Sequence, residues 1–331
     1  VYRTLLNQTG LESEQASALL EAVAAGELNQ SQMASLLSVY LVRGVTVEEL
    51  DGFRKAMLQL ALPFDPGRAC LDVCGTGGDG KNTFNISTLT AFVVAACGIS
   101  VAKHGNYGVS SVSGSSNVLE IAGYRFTADT GELTRQLDEC NICFMHAPLF
   151  HPAMKTIAPI RKELGVKTFF NMLGPLVNPA NPQYRMCGVF SLELARQYHY
   201  LLQQDEKPYA VIHAHEGYDE LTLTGKARVY SDRGECDLEA NSFGFNPVKE
   251  QDLAGGETTE LASTLFVEIL STKNYPAKQR IVAANAALAI HTVNPEIPLT
   301  DAAQLALEAI HSGNAFNTFQ KLINLSQHHA R

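Results

Sequence analysis

The stretch Leu71-Asp72-Val73-Cys74-Gly75-Thr76-Gly77-Gly78-Asp79-Gly80-Lys81 constrains this chain more than any other. The apolar run ending at Val73 reads as a buried strand. It breaks at a glycine-dense turn, and the periodic apolar segment from Ile86 to Cys97 reads as a helix. Strand, glycine turn and helix N-terminus together make an anion site. Glycine lets backbone N–H groups converge, and the helix dipole favours negative charge at that end. An ordinary βα turn requires neither Asp79 among the glycines nor Asn85, Ser87 and Thr88 just after it.

Two nucleotide motifs fit this turn nominally. Gly75, Gly77 and Gly80 spell the dinucleotide fingerprint, which also needs an acidic residue about 20 positions on to hold a ribose. No Asp or Glu occurs between Gly80 and Leu119, and the next strand-like run ends in Lys103-His104. That composition suits a second phosphate rather than NAD. Gly75, Gly80 and Lys81 nearly spell a P-loop, but Asn82 stands where Ser or Thr must hold magnesium. One βα unit later, residues 103–117 combine a cation, hydroxyls and glycines ahead of another helix, on the same sheet edge where ligands collect.

In chain order, residues 1 to about 65 read as three helices. Gly26 ends the first, Ser31 caps the second, and Thr46 with Glu49 forms a capping box for the third, which stops before Pro63. From Arg68 strands and helices alternate, predicting a mainly parallel sheet with strands at 69–73, 99–103, 142–146 and 209–214. Gly123 fits a C-cap. Residues 150–179 interrupt the alternation, and Pro159 is expected to kink the segment carrying Lys155 and Arg161. Helical periodicity returns at Leu261–Leu270, Arg280–Ile290 and Ala302–Ile310, followed by a polar tail. Asn285 falls in the second of these and is assigned to packing.

Composition excludes several classes. With 331 residues, 46% of them hydrophobic, the chain can bury one large core and a smaller one. A net charge of −9 argues against general nucleic-acid binding. No apolar run reaches membrane-spanning length, and no signal pattern opens the chain. Seven cysteines lack disulfide-scaffold spacing, and Cys140 with Cys143 has no second pair to complete a zinc cage, so reduced thiols in a cytoplasmic protein are expected. His213-Ala214-His215 could announce a metallohydrolase, but further ligands are not evident. The adjacent Asp219 and Glu220 offer hard oxygen ligands that suit magnesium better than zinc.

Several motifs, in order over nearly the whole chain, resemble the anthranilate phosphoribosyltransferase family. They are Gly75 to Asp79, Asn85 to Thr88, Lys103 to Asn106, His151 to Lys155, Arg161, Asn171 to Pro179, and Asp219-Glu220. The resemblance implies an α/β fold: a small all-helical domain plus a large α/β domain with a central, mainly parallel sheet. The helical domain would span residues 1–65, joined by part of 150–180, and would serve dimerisation and the anthranilate side. Residues 66–331 would bind phosphoribosyl pyrophosphate (PRPP) and magnesium. The implied reaction moves the phosphoribosyl group of PRPP to anthranilate in tryptophan biosynthesis, within a homodimer, with no nucleic acid and no membrane involved.

Residue by residue, the resemblance assigns Gly75, Gly78 and Asp79 to the pyrophosphate and its metal, with Thr83, Asn85 and Thr88 continuing the cradle. Ser87 would touch one magnesium, and Asp219 and Glu220 another. Lys103, Ser110, Ser111 and Ser115 would bind phosphate groups. Asn106 and Arg161 would orient anthranilate, with His104 and Pro148 shaping its channel. Ile86 and Gly105 complete the expected contact set. No side chain is compelled as a general base; Lys103, Asn106 and Arg161 act by position and charge. Read without the family, Arg161 would be a solvated charge beside Lys162 and Glu163. The sequence departs from the family pattern at Tyr107 and Val112, often basic, and Asn117, often acidic, which bears on affinity for PRPP. Two rival readings share part of this pattern: a pyrimidine nucleoside phosphorylase, and a catalytically silent relative that binds nucleic acid.

Overall fold

The computed structural model describes residues 10–108, 112–271 and 274–327. Three helices open it: α1 (Ser13–Ala24), α2 (Gln30–Arg43) and α3 (Val47–Gln59). The capping box at α3 forms as expected, Thr46 Oγ1 accepting the Glu49 N–H while Glu49 accepts the Thr46 N–H. Glu49 is fully buried and also accepts from Leu11 N–H, the Tyr40 hydroxyl and Arg43, so its charge is matched. At α2 the cap is Asn29, not Ser31. Its side chain accepts the Gln32 N–H and Gln32 reaches back, a reciprocal pair that Ser31 cannot make from inside the helix.

The α/β portion follows: β1 (Leu71–Gly75), α4 (Ile86–Ala96), β2 (Val101–Gly105), α5 (Ser115–Ile121), α6 (Thr130–Cys140), β3 (Ile142–His146), α7 (Ala147–Phe150), α8 (Ala158–Leu164), β4 (Tyr184–Gly188), α9 (Leu192–Gln203), β5 (Tyr209–Ala214), β6 (Ala227–Ser231) and β7 (Gly234–Leu238). Four helices close it: α10 (Thr259–Ser271), α11 (Pro276–Val293), α12 (Leu299–His311) and α13 (Asn314–Gln327). The tail expected to be polar is thus helical to Gln327, with Phe319, Leu322 and Ile323 buried. Pro159 does not kink a helix. It occupies the first turn of α8, where a missing N–H costs nothing, and Lys155 ends a separate 3-10 turn.

The sheet runs β3-β2-β1-β4-β5-β6-β7, parallel from β3 to β5 and antiparallel beyond. Strands β1 and β2 begin and end two residues later than expected. Pairing of β1 with β4 continues through Gly75 opposite Gly188, so the glycine closes the strand instead of leaving it. The chain moves outward from β1 to one side, through β2 and β3, then returns to build β4 and β5 on the other. The order therefore reverses between β1 and β4, and a crevice opens at the carboxyl ends of those strands.

The largest core lies between the sheet and α4, α10, α11, α12 and α13. A second joins the opening helices to Ile157, Ile160, Phe169, Phe170, Leu173 and Leu176, and continues onto Tyr198 and Val211. Within it Tyr40, Phe53 and Phe169 form a packed aromatic group, with Phe53 stacked on Phe169 at 4.4 Å. Thus residues 157–176 reach the crevice while anchored in the helical core.

Candidate active site

The crevice forms a cleft of about 1190 Å³. Its wall includes Gly75, Gly78, Asp79, Thr83, Asn85, Ile86, Ser87, Thr88, Lys103, His104, Gly105, Asn106, Ser115, Arg161, Asp219 and Glu220, whereas Pro148 lines an adjoining cavity. Ser110 and Ser111 lie outside the described residues. Sequence reasoning missed Thr76, Gly77, Lys81, Phe170 and Gly174 as lining residues.

Asp219 and Glu220 follow β5 and reach the turn after β1. Asp219 Oδ2 accepts the Gly77 N–H at 2.8 Å, and Glu220 Oε1 accepts the Ser87 N–H at 3.1 Å. Two glycines make room for this approach. A Cβ on Gly75 would stand 2.6 Å from Asp219 Oδ2, and one on Gly188 would stand 1.6 Å from the Asp219 carbonyl oxygen. Asn285 of α11 braces the same segment from behind, its amide accepting the Leu221 N–H and donating to the Leu221 carbonyl. Asn285 is therefore more than packing. The signal was available: an amide in the otherwise apolar, buried stretch from Ile281 to Ile290 must find partners.

Burial raises the pKa of both acids. Asp79 raises that of Asp219 further, and Asp219 that of Glu220. One oxygen of Asp79, Oδ2, is buried without a partner. Three hard carboxylates that crowd one another and leave an oxygen unpaired fit a divalent cation. Among the described residues no group of three or more His, Cys, Asp and Glu makes a ready-made cage. That suits magnesium, which takes one or two carboxylates and fills its remaining positions with water and substrate phosphates.

Lys103 lines the cleft, but it is 1% exposed and its ammonium donates to the Val73 carbonyl. Its charge acts from beneath, opposing the rise at Glu220. His213 is buried with Nδ1 against the Val189 carbonyl, and exposed His215 faces Asp237, so the His-x-His pair does not converge on a metal. Cys140 and Cys143 are buried free thiols.

Arg161 projects from α8, its guanidinium 5.0 Å from the Phe170 ring centroid, with Nη2 3.4 Å from Asn171 Oδ1. Burial lowers its pKa, and no carboxylate among the described residues counters that effect. A desolvated guanidinium without an acid partner is a receptor for a carboxylate. Beside it opens a second cavity of about 790 Å³, lined by Met57, Pro148, Met154, Leu173 and Val177 along with His104, Asn106 and Arg161. His104 donates its Nδ1–H to the Gly174 carbonyl, and burial lowers its pKa to about 4. The ring is therefore neutral at pH 7.

Residues 67–316 match the glycosyl transferase family a/b domain, and residues 1–61 the helical bundle domain of that family. The chain is 48% identical to the anthranilate phosphoribosyltransferase of Christiangramia forsetii over 98% of each chain. With that of Flavobacterium psychrophilum it shares 49% identity over 98% of this chain and 99% of the other. Among solved structures, the enzyme of Thermus thermophilus superposes with a TM-score of 0.90 at 34% identity, covering 98% of this chain and 99% of that one. The Saccharomyces cerevisiae enzyme in complex with PRPP and Mg gives 0.89 at 25% identity, over 99% and 97%. The chain belongs to the anthranilate phosphoribosyltransferase family.

Proposed function

We propose that this chain transfers the phosphoribosyl group of PRPP to the amino nitrogen of anthranilate, with release of pyrophosphate. The meeting of the glycine turn with the Asp219-Glu220 pair carries this reading: Gly77 N–H to Asp219 Oδ2 is 2.8 Å. The Saccharomyces cerevisiae enzyme, crystallised with PRPP and Mg and with 4-fluoroanthranilate, supports both substrates.

Asp79, Ser87, Asp219 and Glu220 would hold magnesium. When bound, the cation offsets the charge that gathers on the departing pyrophosphate. Glycine-turn amides at 75–80, with Thr83, Asn85 and Thr88, cradle the diphosphate, while Asn106 and Ser115 reach the remaining phosphate or ribose. Arg161 takes the anthranilate carboxylate, and neutral His104, Pro148 and Gly174 set the channel wall. The amine nitrogen then attacks C1 of the ribose, the C1–O bond to pyrophosphate breaks, and the nitrogen gives up one proton. An aromatic amine is nucleophilic without prior deprotonation, so the protein's contribution is positioning and charge stabilisation. The proton leaves late, to the substrate's own ortho carboxylate or to water.

Residues 1–65 with part of 150–180 form the anthranilate-side domain in this reading, and residues 66–331 the PRPP side. The helical domain also pairs two copies of the chain; on α2, Leu41 and Val42 are exposed at 46% and 87%. A cytoplasmic setting accords with seven free thiols. The test is loss of anthranilate fluorescence on adding PRPP and magnesium, set against thymidine phosphorolysis with inorganic phosphate. Phosphorolysis without anthranilate consumption would overturn the assignment.

A further inference from the structure

The chain leaving β2 and the chain entering α5 meet at one side-chain amide. Asn117 Oδ1 accepts the N–H of Gly108 and the N–H of Gly114, each at 2.9 Å. The second bond is ordinary for the third residue of a helix, which often reaches back to the cap. The first is not, because Gly108 lies outside the helix and nine residues upstream. Backbone approach here leaves no room for a side chain. A Cβ on Gly114 would stand 2.2 Å from Gly108 N and 2.7 Å from the Asn106 carbonyl oxygen. Ser116 N–H and the Ser115 hydroxyl both donate to that same carbonyl, at 3.1 and 3.2 Å.

The amide of Asn117 therefore sets the relative placement of Asn106, Gly108 and Ser115, all of which line the cleft. No charged side chain occurs from Gly105 to Leu119. Around it, Asn85 donates to the Ser113 carbonyl at 3.2 Å, the Tyr107 ring meets His146 edge-on at 4.8 Å, and the Tyr107 hydroxyl donates to the Glu120 carboxylate at 3.1 Å. Lys103 acts only from beneath, tied to the Val73 carbonyl, so a polyanion at this loop also depends on oriented N–H and hydroxyl groups, and their effect depends on where they are held.

We propose that Asn117 is a positioning residue for PRPP, tying Gly108 to the start of α5 and so fixing Asn106, Gly108 and Ser115 in the cleft wall. This rests on the phosphoribosyl-transfer reading. The test compares the full chain with Asn117→Ala and Asn117→Asp by steady-state kinetics in both substrates and by backbone amide exchange. Asn117→Ala is expected to raise KM for PRPP about ten-fold, with KM for anthranilate changed less than about two-fold. Exchange at Gly108 and Gly114 should accelerate. Asn117→Asp keeps the acceptor and should return KM for PRPP to within about three-fold of the unmodified value.

An unchanged KM for PRPP in Asn117→Ala, an equal rise for both substrates, or no recovery in Asn117→Asp would overturn the clamp. Should the alanine variant not fold, the unmodified protein still decides, since a Gly108 amide exchanging at the rate of an unbonded one removes the clamp. Failure of the unmodified protein to consume PRPP counts against phosphoribosyl transfer, whereas the exchange result judges the clamp independently of turnover.

Discussion

Gly188 and Asp219 stand so close that a single methyl group on the glycine would lie 1.6 Å from the Asp219 carbonyl oxygen. That contact is with backbone, which cannot swing aside as a side chain end can. Gly188→Ala must therefore displace the acidic segment from the glycine turn. Turnover is expected to fall at least about 100-fold, because a displacement of about 1 Å at a reacting site costs that much. Retention of the far-ultraviolet circular dichroism spectrum would show the fold intact. Near-normal turnover would show that the Asp219 position is not critical.

Asp219→Asn combined with Glu220→Gln separates function from stability. Burial raises both pKa values, with Asp79 adding to the rise at Asp219 and Asp219 to that at Glu220, so the fold binds protons more readily than the unfolded chain does. Stability from this pair is highest at low pH and falls as pH rises from about 4 through the raised folded values. In metal-free buffer the double variant should be more stable than the parent at pH 8, by about 1–3 kcal/mol, and less sensitive to pH. Magnesium-dependent turnover should vanish. Urea midpoints at pH 5 and pH 8 check the first expectation, loss of anthranilate fluorescence the second.

Arg161→Ala removes the buried guanidinium beside Phe170 and Asn171. KM for anthranilate should rise about 30- to 100-fold, the size expected for a lost charge-assisted pair, with KM for PRPP nearly constant. Arg161→Lys should recover little, since an ammonium cannot match a carboxylate with two parallel bonds. A parallel rise in both constants would place Arg161 in a structural role.

Acid sensitivity should trace to two histidines. His104 and His151 face each other with ring centroids 5.2 Å apart, and burial lowers their pKa values to about 4 and about 3. In the unfolded chain each titrates near 6.5. Below that pH the unfolded chain takes up protons that the fold refuses, so stability falls as pH drops toward about 3. At pH 4 His104 alone accounts for about 3 kcal/mol. His104→Gln should flatten the denaturation midpoint between pH 6.5 and pH 4.5; an unchanged slope would assign the acid loss to other groups.

Asn285→Ala leaves the Leu221 N–H and carbonyl without their side-chain partner in a fully buried site. A stability loss of about 2–3 kcal/mol is expected, together with a fall in turnover as the acidic turn loosens. Thermal denaturation and kinetics on one preparation test both parts. Lost stability with intact turnover would mean that the turn is held in place by Gly77 and Ser87 alone.

What was readable from sequence has a common character. The β1 turn, α4 and the α3 capping box are local features, each specified by residues within a few positions of one another. The Arg161 assignment came from resemblance, because it reads alone as a solvated charge, while Asp219 and Glu220 were legible as adjacent hard oxygen ligands whose place in the site the resemblance supplied. Strands β4, β6 and β7 were not anticipated. Strand β7 is mostly exposed, and β4 mixes Arg185, Cys187 and Gly188 into its run, so neither gives a clear apolar signal. Gly188 and Asn285 matter only because topology brings them to Asp219 and Leu221 from distant parts of the chain. Ser31 lost the cap to Asn29 because the reciprocal bond needs Gln32 three positions on.

The most direct measurement is calorimetric titration of PRPP into the unmodified protein and into the Asp219→Asn, Glu220→Gln variant, with magnesium and with EDTA. Binding to the unmodified protein only in the presence of magnesium, and its loss in the variant, is the expected result. Equally tight, magnesium-dependent binding to both proteins would show that the acid pair does not hold the metal-bound diphosphate against the glycine turn.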